Sequence, residues 1–280
     1  MNTRSIVLRL AGGLGNQLFQ YSAFKQLCLI NSNYSKYIFT KHLKNYNMKR
    51  EFMLQEIIDN DEIIDFKLPI YYEFVLKFRI NKLASFFKWS INKNNFHKRL
   101  INNLLVVDDY FQNVSLINNG MLIVIKKLQK LSYENMRVNS IYSEIYSKHE
   151  NLICLHFRAG DYLLDENDFF IQNYDYYKEC IKELNLSNPT LVVFGDTYLL
   201  NKFKFNKLII SSEFKLNDWE EFLLMSKFNN IIISNSTYSF WSSVINFKNK
   251  SIFAPNKWSK NTLNNDIWEN NLLKFNCITK

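Results

Sequence analysis

Ser5–Leu27, SIVLRLAGGLGNQLFQYSAFKQL, decides how the fold is read. Ser5 to Gly12 is a compact β-rich run. Gly12, Gly13 and Gly15 then make a turn, and Leu18, Tyr21, Ala23, Phe24, Leu27 and Cys28 follow near helical spacing. The stretch predicts a strand, a tight turn and a helix. Half of the 6 glycines in this 280-residue chain lie in that one turn. Such a turn lets backbone N–H groups approach an anion at the helix N-terminus. Two phosphate-binding patterns use this geometry, and neither fits. The dinucleotide fingerprint needs a third glycine where this chain has Leu18. The phosphate loop needs Gly-Lys-Ser/Thr, but Gly15 is followed by Asn16 and Gln17. Their neutral amides suit sugar hydroxyls or a phosphate oxygen. The bland alternative is a turn that only packs strand against helix.

Outward from this unit, YSKYIFT (Tyr34–Thr40) predicts the next strand and EFMLQEIID (Glu51–Asp59) a helix. A long, mainly helical stretch leads to a strand in NLLVVDDYFQNVSL, and MLIVIKKLQKLSYENM is helical or mixed. After about residue 148 the alternation becomes regular. NLICLHFR, TLVVFGD, KLIISS, NIIISNS and SIFAP are strands. YDYYKECIKELN, NDWEEFLLMSKF and YSFWSSVINF are the helices among them. Short apolar runs alternating with amphipathic helices predict βαβ units and a parallel sheet. Asn217 and Asp218 before Glu220 and Glu221 form a helix-start signal. The expected fold class is α/β in two halves, 1–148 and 149–280, joined near YSKHE (146–150), with the ligand site in the cleft between them.

Hydrophobic residues make up 47% of the chain and aromatics 16%, which supplies a real core and excludes disorder as the main state. The net charge of +9 favours an anionic partner. Positive charge is densest in LKFRINKLASFFKWSINKNNFHKRL (76–100), which reads either as a packed amphipathic helix with a solvated basic face or as a peripheral contact with an anionic membrane. The 4 cysteines, Cys28, Cys154, Cys180 and Cys277, share no metal-ligand spacing. With no secretory signal in the opening residues, the expected state is reduced thiols in a cytoplasmic protein. No apolar run is long enough to span a bilayer. A nucleic-acid-binding motif is lacking, so no nucleic-acid partner is expected.

Chemistry gathers at the presumed strand ends, where α/β proteins bind ligands. LHFRAGDYL (155–163) carries His156, Arg158 and Asp161. Arg158 suits a two-pronged grip on a diphosphate, although an Arg–Asp pair also pins loops. In VVFGD, Asp196 is placed to accept from a guanine edge or ribose hydroxyl, or to cap the next helix. SNSTYSFW (234–241) offers Ser234, Asn235, Ser236, Thr237 and Ser239 at a helix N-terminus. That is an anion cradle built without glycine, whereas plain capping needs only one such residue. Gly160 and Gly195 lie in these turns, leaving Gly120 as the glycine outside them.

GGLGNQLFQY, HFRAGDY, NIIISNSTYSFW and APNKW, in this order and spacing, resemble the bacterial α-1,2-fucosyltransferases of glycosyltransferase family 11, the galactoside 2-L-fucosyltransferase type. DDYFQN (108–113) is similar to that family's Gly-Tyr-aromatic-Gln segment. The resemblance implies a GT-B-like fold of two Rossmann-like halves, with GDP-β-L-fucose held mainly by the second. It implies inverting, metal-independent transfer with no cofactor, to the 2-hydroxyl of a terminal β-galactoside in a surface polysaccharide, oligosaccharide or lipid-linked acceptor. Arg158 would bind the diphosphate and stabilise departing GDP. His156 would contact the guanine or ribose side, and Ser236 and Thr237 the phosphate oxygens. Asn16 and Gln17, in the turn of Gly13 and Gly15, would face the donor. Tyr110 and Gln112 fall on the acceptor side. Asp161 is nominated as catalytic base, with His156 as runner-up on its ordinary pKa.

Three residues depart from the family pattern. Ala159 stands where a second arginine is common, Thr197 where a second aspartate is frequent, and Asp109 where the acceptor segment has glycine. Ala159 and Thr197 favour the alternative of a non-catalytic GDP-sugar or glycan-binding protein. Asp109 bears on another alternative, the same donor chemistry on a different acceptor or linkage.

Overall fold

The computed structural model describes residues 4–41, 43, 51–65, 100–101, 104–160, 170–197, 200, 207–247, 250–260 and 276–278. The chain divides into two compact units, Met1–Val124 and Ile125–Lys280. The basic stretch 76–100, Leu100 aside, and Asp161 lie outside the described residues.

The first unit opens as its sequence predicts, with β1 (Ser5–Arg9), the glycine turn and α1 (Leu14–Ile30). β2 (Ser35–Phe39), β3 (Glu62–Ile64), β4 (Leu100–Ile101) and β5 (Leu104–Val107) complete a sheet of order β3-β2-β1-β5-β4. β1 lies parallel to both neighbours, Ser5 opposite Ser35 and Leu104, and β4 alone runs antiparallel. Ile6, Val7 and Leu8 are fully buried, as in a strand covered on both faces.

α1 is buried beyond the stripe its apolar residues predict, because Gln17, Gln20, Ser22 and Lys25 are buried as well. Each has partners. The Lys25 ammonium is paired with Asp59 and, at 2.8 Å, with the buried Glu62, which also accepts from the Tyr21 hydroxyl at 2.8 Å. Gln17 donates to the Glu51 carbonyl at 2.8 Å and accepts from the Met53 N–H at 3.0 Å. That bond explains a difference from the sequence reading. Glu51–Asp59 forms no helix but a loop with a turn at 55–57. The Glu51 carbonyl that a helix would need is occupied by Gln17, and the Asp59 N–H is capped by Glu62 at 3.0 Å.

α2 (Asn118–Glu134) contains the division between the units, and α3 (Met136–Lys148) belongs to the second. There β6 (Leu152–Phe157), α4 (Tyr174–Leu184), β7 (Thr190–Gly195), β8 (Leu208–Ile210), α5 (Asp218–Met225), β9 (Asn230–Ile232), α6 (Thr237–Val244), β10 (Ser251–Pro255) and β11 (Asn276–Ile278) follow. The sheet runs β11-β10-β9-β6-β7-β8, parallel throughout. One face of β6 (Ile153, Leu155, Phe157) packs with Leu191, Val193, Ile232 and Phe253 against Tyr176, Tyr177 and Cys180 of α4. Alternation turns Cys154 and His156 to the other face. The predicted start of α5 is a full capping box: the Asn217 side chain accepts from the Glu220 N–H at 2.9 Å, and Glu220 accepts from the Asn217 N–H at 3.0 Å. Cys28, Cys154 and Cys180 are free and buried.

Gly120, the glycine the sequence reading left outside the candidate turns, is the most crowded. A Cβ there would lie 1.9 Å from the Ser22 carbonyl oxygen of α1 and 2.7 Å from the Gln26 nitrogen. Helix packing, not a ligand, requires this glycine. Gly120→Ala should therefore lower stability by about 1–3 kcal/mol or more, read as a fall in the urea midpoint. An unchanged midpoint would refute the packing.

Candidate functional site

In the second unit, β6, β7 and β9 end side by side, and the turns after them carry the predicted residues. β6 pairs with β9 in the register Cys154–Ile231 and Leu155–Ile232, so the turns that follow these strands, one carrying Arg158 and the other Asn235, leave the same end of the sheet from adjacent strands. His156 Nδ1 lies 2.8 Å from the Ser234 hydroxyl, joining two of the four turns directly. Tyr177 donates to the His156 carbonyl at 2.9 Å and Tyr176 to the Ile233 carbonyl at 2.6 Å. These tyrosines of α4 fix both strand ends from below. From the sequence their stretch read only as a helix, and neither tyrosine was singled out.

His156 is 4% exposed, and burial, with the nearby Arg158 charge, pushes its pKa down to about 3. Its ring stacks on Tyr238, centroids 5.9 Å apart. A ring that stays neutral and is shut from solvent is a poor proton acceptor. The geometry thus counts against His156 as general base and leaves it a neutral hydrogen-bonding group.

Asp196 does not project as a free carboxylate. Its Oδ2 accepts from the Ala159 N–H at 2.7 Å and the Gly160 N–H at 3.0 Å, while its own N–H donates to the Phe157 carbonyl at 3.2 Å. It grips the loop that carries the half-buried Arg158. Gly195 makes this possible: its φ is +85°, and a Cβ would meet the Phe157 carbonyl at 2.2 Å. Gly160 has no such need, with the nearest atom 3.6 Å from a Cβ. Ala159, where an arginine is common in the family, is fully buried.

The five polar residues after β9 divide into two groups. Ser234 serves His156, Asn235 donates to the Trp258 carbonyl at 3.1 Å, and the Ser239 hydroxyl turns back to the Ser236 carbonyl at 3.2 Å. Ser236 is the N-cap residue of α6, yet its side chain makes no capping hydrogen bond. The first N–H groups of α6, with Ser236 and Thr237, are left as donors at the positive end of a helix dipole. With Arg158 one strand away, the arrangement can hold a multiply charged anion.

The first unit holds the remaining predicted residues. α1 likewise begins, at Gly13, without a side-chain cap. Gln17 is not available to a ligand, because its amide nitrogen also donates to the Gly12 carbonyl at 3.0 Å and its oxygen holds Met53. Its expected donor contact is replaced by a structural role. Gln20, not singled out from the sequence, accepts from the Ala11 N–H at 2.8 Å. Gly12 has φ +75°, and a Cβ there would meet the Asn16 amide at 2.5 Å. The Asn16 oxygen accepts from Gln112 Nε2 at 3.1 Å, which joins the glycine turn to the segment of Tyr110 and Gln112. Gly15 is buried in the first turn of α1.

Among the described residues, one trio of metal-capable side chains falls together: Asp59, Asp61 and Glu62. Lys25 and Lys36 neutralise it, Lys36 lying 2.5 Å from Asp61. No helix among the described residues is long and apolar enough to cross a membrane.

Comparison with known proteins identifies the family. The profile of glycosyl transferase family 11 matches residues 4–276, and the chain belongs to that family. It is 26% identical to the O-antigen biosynthesis glycosyltransferase WbnK of Escherichia coli, over 93% of this chain and 98% of that one. It is 28% identical to an α-1,2-colitosyltransferase of Escherichia coli, over 90% and 92%. Its fold matches that of the fucosyltransferase NodZ from Bradyrhizobium with a TM-score of 0.50 at 12% identity, covering 88% of this chain and 94% of that one. The family resemblance and the α/β, GT-B-like fold class are borne out.

The low pKa of His156 has a pH signature. The folded state holds fewer protons there than the unfolded state between its ordinary value of 6.5 and about 3. Its contribution to stability is complete above pH 6.5 and declines as pH falls, by about 1.4 kcal/mol per unit. His156→Gln should thus lose about 2 kcal/mol less than wild type between pH 6.5 and 5 in urea unfolding. Parallel pH profiles would contradict the buried neutral ring.

Proposed function

We propose that this family 11 glycosyltransferase moves L-fucose from GDP-β-L-fucose to the 2-hydroxyl of a terminal β-galactoside, in an inverting, metal-independent step of surface-polysaccharide assembly. The observation that carries the reading is the uncapped N-terminus of α6 beside the Arg158 loop. The names of the relatives support it, one an O-antigen glycosyltransferase and one an α-1,2-transferase of a deoxysugar.

In this reading the diphosphate of GDP lies on the first N–H groups of α6, with Ser236 and Thr237 donating to its oxygens. Arg158 grips it from the neighbouring turn. Bond breaking leaves negative charge on the departing GDP, and a fixed cation with an aligned helix dipole stabilises that charge more in the transition state than in bound donor. These groups take the place of a divalent cation. Asp196 holds the Arg158 loop and thereby orients the guanidinium. His156, neutral, faces the nucleoside and steadies Ser234. Asp161 remains the proposed base that accepts the proton of the acceptor hydroxyl. The protein works from the cytoplasmic side, on a free or lipid-linked glycan.

The colitosyltransferase relative supports a second donor, because colitose is L-fucose without its 3-hydroxyl. The same site would serve either sugar.

The first test is GDP release from GDP-L-fucose in EDTA, with and without lactose. Acceptor-stimulated release is expected; GDP binding without stimulated release would move the acceptor elsewhere. Dependence on added metal would overturn the charge argument, and faster turnover of GDP-colitose would favour the second donor. Arg158→Ala should lower kcat/KM about 10²–10³-fold while the chain stays folded, and Arg158→Lys should recover only part, having charge without the fork. Unchanged turnover in Arg158→Ala would sink the diphosphate assignment.

A further inference from the structure

We infer that Lys257, on the loop after β10, supplies a second positive charge to the diphosphate at the N-terminus of α6. The inference rests on the transferase reading above and deepens it by naming a further donor-binding residue.

The sheet places β9 between β6 and β10. The turn that opens α6 therefore has the Arg158 loop on one side and the loop after β10 on the other. Where β9 and β10 end, the Ile233 N–H donates to the Phe253 carbonyl at 2.9 Å. Beyond that contact the Asn235 side chain donates to the Trp258 carbonyl at 3.1 Å. β10 itself runs on to Pro255 beside β11. Asn256 and Lys257 thus make the bend that brings the Trp258 carbonyl back to Asn235. Both are exposed, while Trp258 and Ser259, 3% and 2% exposed, bury the segment that follows. Lys257 precedes Trp258 and Ser236 follows Asn235, so each is one residue from the bond that ties the two segments. Consecutive Cα atoms lie about 3.8 Å apart, a separation that the four-carbon stem of lysine can bridge.

Among the described residues the Lys257 ammonium has no partner, whereas that of Lys260, on the same loop, lies 5.7 Å from the centre of the Phe170 ring. A lysine anchored by its backbone beside an open helix end, with no carboxylate of its own, suits a phosphate as a point charge. The charge balance calls for one. A diphosphate is more negative than one guanidinium and one helix dipole, the latter about half a charge, can offset. Ala159, buried beside Arg158, offers no second cation on that loop, and Asp196 brings a carboxylate to the same end of the sheet. Departing GDP is more negative than bound donor, so a second cation counts most as the bond breaks.

The test measures binding of GDP and of guanosine, the nucleoside without the diphosphate, to the whole chain in EDTA by calorimetry. Lys257→Ala should weaken GDP about tenfold and leave guanosine unchanged, and Lys257→Arg should restore most of the GDP affinity. Lys260→Ala removes the same charge from the same loop and should change GDP affinity by less than about twofold. The urea midpoint of each variant checks that it is folded. Unchanged GDP affinity in Lys257→Ala, a parallel loss of guanosine, or an equal loss in Lys260→Ala overturns the inference and leaves the diphosphate reading intact. Equal affinity of wild type for GDP and guanosine overturns the diphosphate reading itself, and this inference with it.

Discussion

The N-terminus of α6 carries N–H groups that its N-cap residue, Ser236, does not satisfy with its own side chain. Hydroxyls are abundant there, and capping needs one oxygen. Instead Ser234 is committed to His156, Asn235 to the Trp258 carbonyl and Ser239 to the turn behind it. Each of these bonds stiffens the turn and leaves the helix end open. Burial of β6 on both faces, the tyrosines of α4 and the grip of Asp196 on Ala159 and Gly160 then hold the loop of Arg158 at the end of β6. An open helix end of this kind is able to hold an anion.

The first unit uses amides for similar ends. Gln17 and Gln20 reach back from α1 to the carbonyl of Gly12 and the N–H of Ala11, and the turn is shaped by the helix it starts. Gln17 in addition takes the backbone groups of Glu51 and Met53, so one side chain supports two loops. Neutral amides do this without desolvating a charge. The buried ion pair of Arg9 with Asp108 at this end of the sheet anchors a loop and not the turn.

Much of this was legible in the residues. Apolar runs with alternating helices announced the parallel sheet of the second unit, and Asn217 with Glu220 announced a helix start that holds in detail. The four strand-end motifs were likewise found. What escaped depended on partners distant in sequence. Glu51–Asp59 has helical spacing, but no local pattern says that Gln17 will claim its first carbonyl. Gln17 itself read as a ligand because an amide beside a glycine turn looks the same whether it faces in or out. Gly120 could not be told from a loop glycine without the helix it packs on. β3 and β11 are too short to carry a period of their own. Pairing, rather than propensity, makes them strands.

The buried cysteines give the two units separate voices. Burial raises the thiols of Cys28, in α1, and Cys180, in α4, to about 12, and Cys154 higher still. While the protein is closed, these three cysteines offer almost no thiolate to an alkylating reagent. Labelling of Cys28 then reports the opening of the first unit, and labelling of Cys154 or Cys180 that of the second. Without any introduced probe, the native chain can show by mass whether its halves open together or one before the other.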